Sequence, residues 1–429
     1  MTTPHHGRLE ALRTGSMRKL WVLMFTAFVD MVGVLMIIPL LPFYAKRFGA
    51  SGLEIGVIVA MFSVAQLLSA PLWGRVSDRY GRKPALLIGL GASVIAYIVF
   101  AFSNSVWMLL LSRAIQGAGG GTTGVIQAYV ADAVEPRNRA KGLGWLSAAT
   151  NVGVMLGPAV GSAATYLGSA GPGLIAATLC LLNIGFAYRF LGETHGADAR
   201  ARSRGKSGSP LQALIRVTRH AGDVPSRLIW TYAISIGFYY GTNPIISLFL
   251  MQRYGITTHT IGWFFVYMGA LNVFFRVTVL GRVVDRIGEV RSIRVGLFTL
   301  ALGLATIPLT YHFPLLALAI ALLPLGATLT FPAVTGLLSQ VVGDHERGVY
   351  MGVQQTYGGI LRVIGPLVAG KVWDVFGVVP PFALSATVVV STIGLGIGLE
   401  RYVRRTGEHP VPAPEIATPE QAEQRVAGE

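Results

Sequence analysis

The stretch Gly74-Arg75-Val76-Ser77-Asp78-Arg79-Tyr80-Gly81-Arg82-Lys83 lies between two long apolar runs. Its echo, Gly281-Arg282-Val283-Val284-Asp285-Arg286-Ile287-Gly288, begins 207 residues later. Two glycines, an aspartate and two arginines keep one offset throughout. A second set repeats at nearly the same distance: Arg139, Gly144, Gly157 and Pro158 return as Arg347, Gly352, Gly365 and Pro366, 208 residues on. The chain therefore reads as two copies of one unit, in the same orientation.

Composition says what the unit is. Of 429 residues, 52% are hydrophobic and only 13% charged. A soluble chain carries roughly 25% charged residues, so the apolar surplus is expected to face lipid. Parallel repeats of apolar spans are the architecture of transporters that rock two halves around a central site. The net charge of +15 reads as basic loops on one side of a membrane, not as a nucleic-acid surface. The single cysteine, Cys180, excludes an intrachain disulfide. No cleavable leader is expected, because the first apolar run, from Leu20, is longer than a signal-peptide core.

Runs of about 20 apolar residues, the length needed to cross a bilayer, number twelve. The fourth covers 105–130 and the eleventh 349–372. The expected fold is all-α and integral to the membrane, with twelve spans in two six-helix halves. Residues 1–19 form an N-terminal segment, 20–191 the first half, 192–226 a linker, 227–400 the second half and 401–429 a disordered tail. The linker is rich in Gly, Ser and basic residues and is expected to be flexible. Basic residues set the orientation: Arg75, Arg79, Arg82 and Lys83, Arg139 and Lys141, Arg202, Arg204 and Lys206, and Arg282 and Arg286 fall on one side. Only Lys46, Arg47, Arg253 and Lys371 fall on the other. Both termini are thus expected in the cytoplasm.

The chain resembles the major facilitator superfamily, and within it the twelve-span drug:proton antiporter branch that includes tetracycline efflux proteins. The loop motif Gly74, Asp78, Arg79, Gly81, Arg82, Lys83 carries the likeness. So do Leu110-Leu111-Ser112-Arg113-Ala114-Ile115-Gln116-Gly117-Ala118-Gly119 in span 4 and Gly153-Val154-Met155-Leu156-Gly157-Pro158-Ala159-Val160-Gly161 in span 5. Span 1 adds Asp30, Gly33 and Pro39-Leu40-Leu41-Pro42. The likeness covers about residues 18–400 and implies a bacterial inner-membrane, multi-pass exporter, not an enzyme. It would use a proton gradient rather than a cofactor, and act as a monomer on small amphiphilic compounds or drugs. Export of a sugar or organic anion is the alternative. The span 5 motif implies antiport. Tetracycline-type members commonly use further acids in spans 3 and 9; here 84–103 and 292–311 contain none.

Each motif also has a bottom-up reading. Gly74 would let two helices approach. Asp78, at a helix end, could cap a neighbouring helix N-terminus and pair with Arg79 or Arg82. With Gly81, Asp285 and Arg286, it forms a cluster that either latches the halves in one state or holds a static loop. Gly153, Gly157 and Gly161 share one helix face, and Pro158 can bend the span. That stripe serves either ordinary close packing or a seal against the other half.

Asp30 lies about 15 Å into span 1 by helical rise, near the midplane, where an ionised carboxylate is costly unless paired or protonated. It is the candidate proton carrier. Arg113, at similar depth in span 4, is its expected partner. Arg362 in span 11 also lies near the midplane, whereas Arg276 in span 8 is expected to snorkel toward the surface. One acid against several arginines predicts a positive cavity favouring neutral or anionic ligands. Candidate cavity residues are Gln66, Gln127, Asn151, Tyr239, Tyr240, Asn243, Asn272, Gln340, Gln354, Gln355, Tyr357 and Arg362.

Gly365-Pro366-Leu367-Val368-Ala369-Gly370-Lys371 mimics a phosphate loop but lies inside a span and lacks the following Ser or Thr. No metal-ligand spacing occurs. The orientation is checked by fusing a reporter that is active only in the cytoplasm after Arg401. Signal is expected there, and none from a reporter active only outside.

Overall fold

A computed structural model describes residues 4–134, 138–192, 210–343 and 345–400. Among the described residues there is no strand. The helices are α1 (Pro4–Ile37), α2 (Leu41–Arg47), α3 (Gly52–Tyr80), α4 (Arg82–Ala101), α5 (Val106–Gly119), α6 (Thr122–Ala133), α7 (Arg139–Ala164) and α8 (Gly171–Phe190). There follow α9 (Pro210–Arg219), α10 (Val224–Tyr254), α11 (Ile261–Thr278), α12 (Leu280–Ile287), α13 (Glu289–Thr306), α14 (Phe313–Val341), α15 (Arg347–Phe376) and α16 (Val379–Ser391).

Among the described residues, ten helical stretches are long and apolar enough to cross a bilayer. The other two expected spans fall outside that set for visible reasons. Span 4 is split into α5 and α6 at Gly120 and Gly121. The Trp73 ring lies where a Gly121 Cβ would stand, and its indole nitrogen donates to Ala118 O at 2.5 Å. Span 11 is the unbroken α15, but Gln354, Gln355, Arg362 and Lys371 lower its hydropathy. Span 1 is also interrupted, by a 3₁₀ turn at Ile38–Leu40 containing Pro39.

The repeated loop motif ends a helix in the same way twice. Gly81, between α3 and α4, has φ 109°, and Gly288, between α12 and α13, has φ 79°. A side chain rarely adopts that region, so the second glycine of each copy makes the sharp turn.

Helices meet backbone to backbone where glycine permits. Gly153, Gly157 and Gly161 of α7 lie on Phe28 O, Val32 O and Met36 O of α1. The stripe therefore packs within the first half and does not seal against the second. The seal uses the neighbouring face of α7, where Pro158, Ser162 and Met155 meet Gly262 and Gly269 of α11. Gly52 and Gly56 of α3 likewise meet Gly370 and Pro366 of α15. In the second half, Gly237 and Gly241 of α10 rest on Gly365 of α15. The first motif glycine behaves differently: a Cβ at Gly74 or at Gly281 would meet nothing within 4 Å. The helix approach expected at Gly74 is absent, because that end of α3 is exposed.

The linker differs from expectation too. Residues 193–209 lie outside the described residues, as do 401–429, but Pro210–Arg219 is helical. Ala213 and Val217, one turn apart, are both fully buried. Tyr357 of α15 donates to Leu214 O at 3.1 Å and shares a 2.5 Å hydrogen bond with Thr218. An apolar stripe long enough to bury overrides the flexibility suggested by composition. α1 likewise begins at Pro4, well before the apolar run.

Gly365→Ala would place a Cβ 2.1 Å from Gly237 O and is expected to destabilise by about 1–3 kcal/mol. Gly144→Ala, facing open space, should be neutral or slightly stabilising. Thermal unfolding in detergent separates the two.

Candidate functional site

A cavity of about 450 Å³ lies between the halves. α1, α3, α5 and α7 line it from the first half, and α10, α11, α14 and α15 from the second. Its wall is mostly apolar, with Phe62, Phe265, Met268 and Phe331 among the lining side chains. Polar groups are few and spread around it. Of the expected residues, Gln66, Asn151, Tyr239, Tyr240, Asn243, Asn272 and Arg362 line the wall. Tyr239 meets Tyr240 edge to face at 5.4 Å and lies 6.1 Å from the Phe331 ring.

Other expected residues lie elsewhere. Gln340 is exposed and donates to Glu289 Oε1 at 3.0 Å. Gln354 is fully buried and donates to Thr335 Oγ1 at 3.1 Å. Tyr357 anchors α9, and Gln355 bridges Tyr232 and Arg362 at 3.4 Å each. All four are helix-to-helix contacts, as polar residues between spans commonly are. Sequence depth alone could not tell the cavity face of α15 from its packed faces.

Charge on the wall is of one sign. Arg113, Arg276 and Arg362 line the cavity, and no carboxylate does among the described residues. Arg113 is 1% exposed. It donates from Nη2 to Ser112 Oγ at 3.3 Å, and its buried Nε has no hydrogen-bond partner among the described residues. Arg362 donates from Nε to Gly358 O at 3.2 Å and from Nη2 to Gln355 Oε1 at 3.4 Å. Burying a guanidinium without a carboxylate is costly, and this applies to Arg113; with half-buried Arg362 and exposed Arg276 it gives the wall a positive field. Arg276 is exposed, as expected, and it lines both this cavity and a second one.

The second cavity, about 600 Å³, lies among α1, α6 and α7 and holds Asp30, Gln127, Thr150 and Asn151, with Arg276 reaching in from the other half. Asp30 is 4% exposed and accepts a hydrogen bond from Thr122 Oγ1 at 3.1 Å. The expected Asp30–Arg113 pair does not form: among the described residues Asp30 makes no ion pair. Tyr97, fully buried on α4, lies within electrostatic reach of both, and its hydroxyl accepts from Gln116 Nε2 at 2.9 Å. Thr122 and Tyr97 are the residues sequence reasoning missed here. An acid and an arginine at equal depth do suggest a pair, but only the tertiary structure brings Tyr97 of α4 against Gly33 of α1 and within reach of both charges.

At the loop motif, Arg82 organises the charges. Its Nη1 lies 2.7 Å from Asp78 Oδ1 and 2.9 Å from Ser77 Oγ, and its Nε lies 3.1 Å from Asp132 Oδ2. The cluster ties the end of α3 to the start of α4 and the end of α6. Arg79 lies instead over the Tyr80 ring at 5.4 Å. In the second copy, Glu289 stands where Arg82 stands in the first. Among the described residues neither Asp285 nor Arg286 makes an ion pair, because a second acid has replaced the cation.

Comparison with known proteins places these features. The Major Facilitator Superfamily profile matches residues 23–366 and 228–425. The class H tetracycline resistance protein of Pasteurella multocida is 27% identical over 358 residues, covering 82% of this chain and 88% of that protein. Multidrug resistance protein 2 of Bacillus subtilis (strain 168) is also 27% identical, over 88% of this chain and 93% of its own. The crystal structure of the human organic anion transporter MFSD10 (TETRAN) superposes with TM-score 0.67 at 25% identity, covering 89% of this chain and 99% of that one. The nucleoside transporter NupG, at 15% identity, shares the fold with TM-score 0.71 over the same share of each chain.

Accessibility separates wall from packing. In a Cys180→Ser background, thiols at Asn272→Cys and Phe331→Cys are expected to react with a small permeant maleimide at least about tenfold faster than one at Gln354→Cys, since reaction needs access. Equal rates would mean that the wall is drawn wrongly.

Proposed function

The chain belongs to the Major Facilitator Superfamily, and from that membership we propose that it exports small amphiphilic compounds in exchange for protons, by alternating access. One observation carries the reading: both halves share a cavity of about 450 Å³ whose wall is apolar, with separate amide, tyrosine and arginine groups. Such a wall binds by burial of apolar surface and leaves orientation to a few polar contacts. Relatives named for tetracycline and multidrug resistance support export of drug-like compounds.

On the orientation read from the basic loops, both termini and the Asp78 cluster are cytoplasmic. The end sealed by Gly52, Gly56, Gly262 and Gly370 is then the outer one, and the structure is inward-facing. Gly74 and Gly281, bare at equivalent places in the two halves, offer the smooth surfaces on which the cytoplasmic end would close. The Asp78–Arg82–Asp132 cluster is the charged part of that closing surface. The transporter acts as a monomer, with the proton gradient as its energy source and no cofactor.

Asp30 is the proton carrier of this scheme. It is buried, unpaired by any cation among the described residues, and faces a cavity that Arg276 joins to the larger one. Protonation changes the field at Arg276 and so biases the two-state equilibrium of the halves. The all-arginine wall favours a second reading within the same fold, export of organic anions, and MFSD10 is named as an organic anion transporter.

The test uses proteoliposomes, a pH-sensitive dye and a compound panel. Asp30→Asn is expected to abolish substrate-driven proton movement while leaving binding measurable. Arg362→Ala should weaken a carboxylate compound about tenfold, the order of a hydrogen bond to a charged group, and its methyl ester much less. Proton movement surviving in Asp30→Asn overturns the coupling; equal loss for acid and ester overturns the charge argument.

A further inference from the structure

The bundle end opposite the Asp78 cluster is closed by contacts that join one half to the other. Asp374, close to the C-terminal end of α15, accepts from the Gly52 N–H at 2.7 Å through Oδ1 and from the Leu53 N–H at 2.8 Å through Oδ2. These are the first backbone donors of α3, which the helix itself leaves unpaired. α3 has an acid of its own in its first turn, Glu54, but that carboxylate accepts from the Ser51 N–H at 2.7 Å. The donors at 52 and 53 are thus capped across the halves, by a negative charge at the positive end of the helix dipole.

The other flank of the same end has a counterpart. His259, in the turn between α10 and α11, places Nδ1 2.7 Å from Thr165 Oγ1. Its ring stacks on Tyr166, with centroids 4.4 Å apart and an interplanar angle of 24°. Thr165 Oγ1 donates its own proton to Ser162 O at 2.5 Å, so the histidine Nδ1–H is the donor between them. The Gly262 N–H, at the start of α11, donates to Ser162 Oγ at 2.8 Å.

The two contacts are mates in the repeat. His259 follows Gly52 by 207 residues and Asp374 follows Tyr166 by 208, the offsets that relate the loop motifs and the glycine motifs. Each joins the C-terminal end of one half's fifth span to the start of the other half's second. One is built on a carboxylate and a helix N-terminus, the other on an imidazole, a hydroxyl and a tyrosine ring. The backbones behind the first contact fit only because Gly52 and Gly370 lack side chains: a Cβ on Gly370 would lie 2.2 Å from Gly52 O.

We propose that Asp374 is the latch of this face, with the His259 clasp as its weaker partner, and that both must release for the cavity to open there. Both contacts exist only while the halves are together at this end, so they act on one of two states and bias the equilibrium between them. The roles of the charged clusters differ accordingly. Asp78 and Arg82 hold three helix ends of one half, whereas Asp374 spans the halves. The proposal rests on the alternating-access reading, but opening of this face can be measured without transport.

The test uses the full chain in membrane vesicles of both orientations, with Cys180→Ser and the single reporter Ser247→Cys, whose position lines the cavity. A membrane-impermeant thiol reagent is added from the Asp374 side. Asp374→Asn is expected to raise the labelling rate about threefold or more, the weight of one charge at an exposed helix N-terminus. Gly370→Ala should do the same with the carboxylate intact, by sterics alone. His259→Phe keeps a ring for Tyr166 but removes the donor, and a smaller rise is expected. Asp374→Asn protein at full level with unchanged labelling overturns the proposal. If that variant does not accumulate, unchanged labelling in both Gly370→Ala and His259→Phe overturns it instead. Raised labelling in a chain that moves no compound upholds the latch and counts only against the transport reading.

Discussion

Contact between helix backbones at glycine is the constraint on which the rest of this bundle depends. Lipid is as apolar as leucine, so spans gain little by hiding apolar side chains from it. Their association comes from close van der Waals contact and from hydrogen bonds. Gly153, Gly157 and Gly161 let α7 lie directly on α1, which fixes the inner wall of the first half. Gly52, Gly56 and Gly370 let α3 lie on α15, and Gly262 and Gly269 let α11 lie on α7. Those approaches draw the halves together at one end. The cavity is the space left beyond them, and its position follows from where glycine stops.

The charges gain their meaning from that arrangement. Arg113, Arg276 and Arg362 come from three different helices and two halves, yet they share one wall without a carboxylate. Asp30 lies behind that wall, hydrogen-bonded to Thr122 and facing its own cavity. Separation keeps the acid from simply neutralising the arginines. Arg276 and Asn151 line both spaces, and Arg276 is the charged one, so a change of charge at Asp30 is felt at the larger cavity through it. In a low-dielectric interior such an interaction is screened far less than in water.

Several features were legible before any coordinates. The repeat, which matches Gly81 with Gly288, and the apolar character of the chain were plain, because each depends on local chemistry or on spacing along the chain. Gln66, Asn151, Tyr239, Asn243 and Arg362 were chosen for polarity at depth, and they line the cavity. Gln340, Gln354 and Tyr357 were chosen by the same rule and do not. A polar side chain in a span is satisfied equally by a neighbouring helix or by a cavity, and depth does not distinguish them. The α9 helix was hidden for a related reason: Ala213 and Val217 make a stripe that matters only if α15 lies beneath it.

The sequence by itself determined that this chain crosses a membrane many times, that it is a doubled unit, and which residues carry charge where charge is costly. These follow from composition, period and offset, which do not depend on how helices meet. Tertiary structure alone decided that Asp30 and Arg113 are held apart around Tyr97, that the α7 glycines face α1, and that Asp374 caps a helix 322 residues away in sequence. Each of those outcomes turns on which faces of two helices come together. That choice is made by the sum of many weak contacts over the whole bundle, and no single motif contains it.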